Sequence, residues 1–397
     1  MREVKLGDYI KLSGGGTPSK NNPDYWNGDI PWASVKDLKE DILTKTIDSI
    51  TKNGLDNCPS SLIPAGTLIV STRMAVGKAV ITAIDTAINQ DLKAVYTSEK
   101  LDKKFLFYLF KAKEEYFNSV ATGATVQGIK ISHLKGLKFT LPPLPVQRRI
   151  AAALDLADRQ RQLLRAEIAA YGELGESLFL EMFGDVFSSY TSFKKKRLVE
   201  VVEKVQIGPF GAQLHKSDYI EGGHPVINPT HIVNGNIVPN CSFTVPSQLY
   251  RELPQYHLQN GDVIMGRRGE MGRCGIVKSI HENCLCGTGS LYVRANKKRV
   301  NPIFIQRVLS SPSGVRYLEN EAKGVTMLNL NKTIIQNIKI ALPEIELQNE
   351  FANRIQKIEA LKAQAESALA EADDLFNVLL QRAFRGELFK ERVADRV

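Results

Sequence analysis

His281, Cys284 and Cys286, with Cys274 close by, are residue types that hold metals. Their His-x-x-Cys-x-Cys spacing matches no standard structural zinc pattern, and the first half of the chain has no equivalent. Buried free thiols are therefore the better reading, and no metal is expected. With Cys58 and Cys241 the cysteines number five, an odd set, which suits reduced thiols in a cytoplasmic protein. The six histidines are scattered and form no Ser-His-Asp grouping.

Phosphate-binding and methyl-transfer motifs fail in the same way. Ser13-Gly14-Gly15-Gly16-Thr17-Pro18-Ser19-Lys20 lacks the nucleotide P-loop arrangement, and Gly266-Arg267-Arg268-Gly269-Glu270-Met271-Gly272 follows neither the P-loop nor the dinucleotide spacing. Asn22-Pro23-Asp24-Tyr25 differs from the Asn-Pro-Pro-Tyr tetrapeptide of amino-methyltransferases at Asp24, and no glycine-rich methyl-donor loop follows a strand. No catalytic residue and no bound cofactor are expected in this chain.

The remaining chemistry is recognition of a polyanion. Arg73 and Lys78 bracket a turn between two strands, and Arg267, Arg268 and Arg273 occupy the matching turn later on. Arginine can bond guanine bidentately or hold a phosphate. Thr125, Gln127 and Lys130, then Thr326, Asn329, Asn331 and Lys332, form a second pair of candidate loops, whose amides suit adenine edges or ordinary turns. Glycine-rich turns let backbone approach phosphate, which adds Thr17, Ser19 and Lys20. Trp32, Ser34 and Lys36 follow a proline, with Trp32 equally suited to the core. In the later half, Gln213, Lys216, Asn228, Thr230 and His231 stand in the corresponding loops. A net charge of +9 and a pI near 9.1 agree with a nucleic-acid partner.

These loops recur because the chain is duplicated. Gln147 and Gln348, and Phe183 and Phe384, lie 201 positions apart, and Leu141-Pro142 is answered by Leu342-Pro343. Upstream, Arg73 and Arg268 lie 195 apart, so the second copy carries a small insertion. Each copy opens with short β-type runs between Gly and Pro turns, near 68–72, 79–84 and 93–97, then 263–265, 275–279 and 290–294. A helix follows, near 103–119 and 302–320.

Each copy closes with a long helix. Ile150, Ala157, Leu164, Tyr171 and Leu178 recur every seven residues, with Leu154, Ile168 and Met182 four places on. Phe351, Ile358, Ala365, Ala372 and Leu379 repeat the phase, with Ile355, Leu369, Phe376 and Ala383. That is a coiled-coil seam. At 1.5 Å per residue, about 35 residues make a rod of roughly 50 Å. The expectation is an α+β protein: mixed globular domains at 1–142 and 187–343, a central long helix at 143–186 and a C-terminal one at 344–397, antiparallel about a pseudo-two-fold axis.

Hydrophobic content of 43% and charged content of 24% describe an ordinary globular protein. The N-terminus shows no apolar signal core, and no run of about 18 apolar residues predicts a membrane span.

The order of motifs resembles the specificity subunit of type I restriction-modification systems. The carrying residues are Gly28-Asp29-Ile30-Pro31-Trp32 with Lys36-Asp37-Leu38, Ile69-Val70-Ser71-Thr72-Arg73, Gly128-Ile129-Lys130, Leu141-Pro142-Pro143-Leu144-Pro145-Val146-Gln147, and the closing Leu379-Leu380-Gln381-Arg382-Ala383-Phe384-Arg385-Gly386-Glu387-Leu388. The resemblance covers the whole chain. It implies that each recognition domain reads one half of an asymmetric bipartite DNA site, with the helices setting the unread spacer. It also implies two modification subunits carrying S-adenosylmethionine chemistry, and restriction subunits using ATP and magnesium. In the second copy, Gly208-Pro209-Phe210-Gly211-Ala212-Gln213 and Ile227-Asn228-Pro229-Thr230-His231 replace the first copy's Gly-rich and Trp32 segments. The alternative is a coiled-coil interaction protein without a DNA role.

Overall fold

The computed structural model describes residues 2–123, 125–322 and 329–389. It is α+β and divides into two compact units, Met1–Arg165 with Glu366–Val397, and Ala166–Ala365.

In the first unit a five-stranded sheet runs in the order Ile10–Gly14, Leu92–Thr97, Leu68–Ser71, Ala79–Thr82, Ile42–Leu43. Leu68–Ser71 is buried at all four residues, as an apolar run covered on both faces should be. The helix Lys103–Ala112 starts on Asp102, whose carboxylate accepts the Phe105 N–H at 3.0 Å. Its six buried residues, 105–110, fill the core. A three-stranded sheet of Asp48–Ile50, Trp26–Ala33 and Ala87–Ile88 carries a smaller cluster around Trp32.

The second unit repeats the plan with a four-stranded sheet: Val202–Ile207, Ser290–Ala295, Val263–Gly266, Cys274–Ile276. The helix Pro302–Ser310 begins at Asn301, with Pro302 at its first position. A second sheet pairs Thr244–Val245, His224–Ile227 and Leu285–Cys286.

The two long helices, Leu144–Phe183 and Ile345–Phe384, have 40 residues each. Their starts lie 201 positions apart. Each unit takes a part of both. In the first, Ile150 and Leu154 share a core cluster with Phe376 and Ala383, and Arg161 Nε bonds Asp373 at 2.5 Å. In the second, Phe179 and Phe183 pack on Phe351, with ring centroids 5.5 and 5.2 Å apart. Early residues meet late ones in both places, so the pairing is antiparallel. The seven-residue seam needs one correction. Leu178 and Met182 are only partly buried, and Phe179 and Phe183 occupy the interior instead. An α-helix drifts about 20° per heptad from a 3.5-residue repeat, so over the four heptads from Ile150 to Leu178 the drift is about 80°, close to the 100° that separates one residue from the next.

Candidate nucleic-acid interface

Each unit holds a basic turn stitched to a second loop by backbone bonds. In the first unit Arg73 bridges Gly128, Met74 N donates to Gln127 O at 2.9 Å, and Ile129 N donates to Thr72 O at 2.9 Å. In the second, Arg268 bridges Asn329 and Leu330 N donates to Arg267 O at 2.9 Å. The two loop pairs inferred separately from sequence are thus neighbours, twice over.

The turns close on equivalent glycines. Gly77 and Gly272 have φ of +79° and +76°, and a Cβ on either would come within 2.6 Å of Phe117 or 2.4 Å of Val315. Only glycine combines that φ with that approach. The earlier residue of the turn is Gly269 at φ +76° in one copy but Met74 at φ +65° in the other.

Arg73 is exposed, with Nη1 3.7 Å from Asp91 Oδ1. Lys78, Thr125, Gln127 and Lys130 are exposed beside it. Arg268 and Lys332 are exposed in the second unit, while Arg273 is half-buried, pairing with Glu270 and donating from Nη1 to Pro229 O at 3.3 Å. Asn331 caps the helix Lys332–Asn337 by accepting from Ile334 N at 2.9 Å. Thr326 lies outside the described residues.

A matching family model settles the chain's membership. It describes a type I restriction modification DNA specificity domain and covers residues 1–170 and 191–371. This chain belongs to that family. The specificity subunit of the type I restriction enzyme MjaIX of Methanocaldococcus jannaschii is 23% identical over 418 residues, 98% of this chain and 94% of that protein. That of EcoKI from Escherichia coli K12 is 25% identical over 294 residues, 68% and 62% of the two chains. The crystal structure of the S subunit from M. genitalium matches with a TM-score of 0.61 at 17% identity over 96% of each chain. A type I system structure described for complex assembly and conformational transition gives 0.59 at 20% over 98% of each. At such identities the two structures establish the fold.

Several residues expected at the surface of this specificity protein are interior. Trp32 is 5% exposed; its Nε1 donates to Gly16 O at 3.0 Å and its ring meets Trp26 edge-on. It anchors the glycine-rich turn, leaving exposed Ser19 and Lys20 and partly buried Thr17, bonded to Gln90. Ser34 is buried as the partner of Asp37, at 2.8 Å from N and 3.0 Å from Oγ, whereas Lys36 is exposed, 3.9 Å from Asp48. His231 is buried, its Nδ1 3.0 Å from Val226 O, and burial lowers its pKa. Arg267 is 8% exposed, and burial, then Arg268, lowers its pKa. Gln213 accepts from the Tyr256 hydroxyl at 2.8 Å; Lys216 and Thr230 are exposed, and Asn228 is half-buried.

Burial also raises the thiols of Cys274 to about 12 and Cys284 to about 11, and Cys286 further. Among the described residues no cluster of three metal-ligating side chains occurs.

The sequence paired Gln147 with Gln348 but gave them no role. Both are fully buried. Gln147 accepts from Asp102 N at 2.8 Å and donates to Lys100 O and Pro142 O at 2.9 and 2.8 Å. Gln348 accepts from Asn301 N at 2.9 Å and donates to Pro343 O at 2.8 Å. Each ties the start of a long helix to the helix of its own unit.

Proposed function

We propose that this chain is the non-catalytic, DNA-reading subunit of a type I restriction-modification complex. Residues 1–142 and 187–343 each read one half of a bipartite site, and helices 143–186 and 344–397 set the spacer. The observation that carries this is the basic turn stitched to a polar loop, built the same way in both units. Exposed Arg73, Lys78, Lys130, Arg268 and Lys332 suit phosphates, which fix register without reading sequence. The other exposed polar residues of these loops are candidates for base edges.

On this reading two modification subunits dock on the helices and bring S-adenosylmethionine; restriction subunits bring ATP and magnesium, and the assembly works in the cytoplasm. No described helix is long and apolar enough to cross a membrane. The test is the complex assembled with modification subunits. Binding to a bipartite duplex should weaken steeply with salt, and four residues inserted into each long helix should lengthen the recognised spacer. Selection indifferent to the insertion would favour a scaffold without a DNA role, an alternative that the family match does not support.

A further inference from the structure

The four-stranded sheet of the second unit carries a cleft of about 520 Å³ at the end away from the basic turn. The turn 259–262, which leads into Val263–Gly266, forms one wall, and the turn 296–298, which follows Ser290–Ala295, forms the other. Glu203 closes it from Val202–Ile207. Ala295 is the one apolar side chain in its lining, so an apolar ligand would gain little there.

Asp262 is buried, and its charge is fully engaged. Its carboxylate accepts from Arg294 Nε at 2.8 Å, from Arg294 Nη2 at 2.7 Å and from Gln259 N at 2.8 Å. The same Nη2 donates to His257 O at 3.2 Å. The guanidinium is thereby fixed, while its Nη1 makes no hydrogen bond among the described residues. Lys297 and Lys298 are exposed and make no ion pair among the described residues. Lys297 lies across the opposite turn: a Cβ on Gly261 would stand 3.5 Å from its Nζ.

The first unit supplies the control. Leu68 opposes Val95 there as Val263 opposes Val293 here. That register sets Thr67, Tyr96 and Glu99 against Asp262, Arg294 and Lys297, a change in charge from −1 to +1. In the first unit Lys103, at the start of its helix, bonds Gly66 O, and a Cβ on Gly66 would stand 3.4 Å from its Nζ. The matching helix of the second unit starts with Pro302, which has no amine to tie to Gly261. The fold is shared, and the cationic cleft is an addition of the second copy.

We propose that this cleft is an anion site for a small phosphate-bearing molecule, either inorganic phosphate or the monoester of a hydroxyl-rich compound. The site goes beyond the DNA-reading role and does not rest on it. A phosphate monoester carries close to two negative charges at neutral pH and three strong acceptor oxygens. Lys297 and Lys298 match the charge, and Arg294 Nη1 adds donors from a guanidinium that has no freedom left to lose. Gln259, Asn260 and Glu203 suit the hydroxyls of an ester. The volume falls within the roughly 300–1,000 Å³ of small-molecule sites.

The test is calorimetric titration of the full chain with inorganic phosphate and with ribose 5-phosphate, in neutral buffer with sodium chloride holding ionic strength constant. Saturable binding of one molecule per chain is expected. Equal affinities assign the site to the free ion, and tighter binding of ribose 5-phosphate assigns it to an ester. Lys297→Glu, which installs the first unit's residue in an exposed turn, should weaken binding about 10- to 100-fold with Tm unchanged. Lys298→Gln should weaken it about 3- to 10-fold, and decides the matter should Lys297→Glu not fold. Arg268→Ala, at the other end of the sheet, should leave binding unchanged. No saturation up to about 10 mM ligand, or an affinity that neither lysine variant alters, overturns the site. Binding lost in Arg268→Ala places the phosphate at the basic turn and also overturns it. Since these titrations contain no DNA, failure here leaves the specificity reading intact.

Discussion

The two basic turns share a backbone and differ in what they leave unsatisfied. In the first unit the unpartnered atom is a carboxylate oxygen, Asp91 Oδ1, with Arg73 3.7 Å away. In the second, glycine stands in place of that aspartate, and the unpartnered atoms are Arg267 Nε, Asn329 Oδ1 and Ser290 Oγ. Duplication has kept the frame, and divergence has exchanged the groups it presents.

The helix pair shows the same principle in packing. Phe376 lies against Tyr108, ring centroids 6.2 Å apart, with the Arg161 guanidinium 4.2 Å from its ring. Its counterpart 201 positions earlier is Gly175, where a Cβ would stand 3.0 Å from Ile355 Cδ1 and 3.9 Å from Arg307 Nη2. There Arg307, beside Gly175, pairs with Glu359. Phe376→Ala should therefore be the costliest change, about 3–5 kcal/mol in denaturant unfolding. A loss below about 1 kcal/mol would mean that the ring is not a core element.

The glutamine ties sharpen the comparison. Gln147→Leu frees three backbone partners and Gln348→Leu two. At about 1–3 kcal/mol for each buried group left unpaired, both should lower Tm clearly, the first more. Equal effects would contradict the bond count.

Next comes the strained turn. Met74→Gly should stabilise the first unit by about 1 kcal/mol, because the left-handed conformation costs a side chain about that much. Gly269→Ala should destabilise the second by a similar amount. Opposite signs in paired urea titrations are the expected result; the same sign would break the equivalence of the turns.

The smallest effect is one of pH. Burial lowers the pKa of His231 and His281 from 6.5, and both lie in the second unit. The unfolded chain then takes up protons before the folded one does. Their contribution is fully present above about 6.5 and falls away as pH drops through that value toward the lower folded pKa. Melting of His231→Gln should be less acid-sensitive than wild type between about pH 7 and 5; an unchanged slope would remove the effect.

Much of this was legible in the sequence because periodicity and repetition report backbone. The long helices and the recurrence of both candidate loops followed from spacing that recurs at 195 or 201 positions; that the loops touch became visible only in the backbone bonds between them. Burial of single polar residues did not. Ser34, His231 and Arg267 sit in turns or at a strand's end and Trp32 in the strand Trp26–Ala33, and whether such a side chain points inward is set by partners distant in sequence, such as Gly16 O for Trp32. The seam at Leu178 and Met182 failed for a related reason: a strict seven-residue count ignores the drift that brings Phe179 and Phe183 inward. Gln147 and Gln348 were visible as a matched pair, but only three-dimensional contacts reveal what a buried amide holds.

The division of the chain has a consequence for its synthesis. The second unit is continuous from 166 to 365, whereas the first is assembled from residues up to 165 and residues from 366 onward. On the ribosome, Ile150 and Leu154 emerge some two hundred codons before Phe376 and Ala383 that cover them. The unit begun first is thus finished last, and its apolar helix face waits uncovered while the other closes.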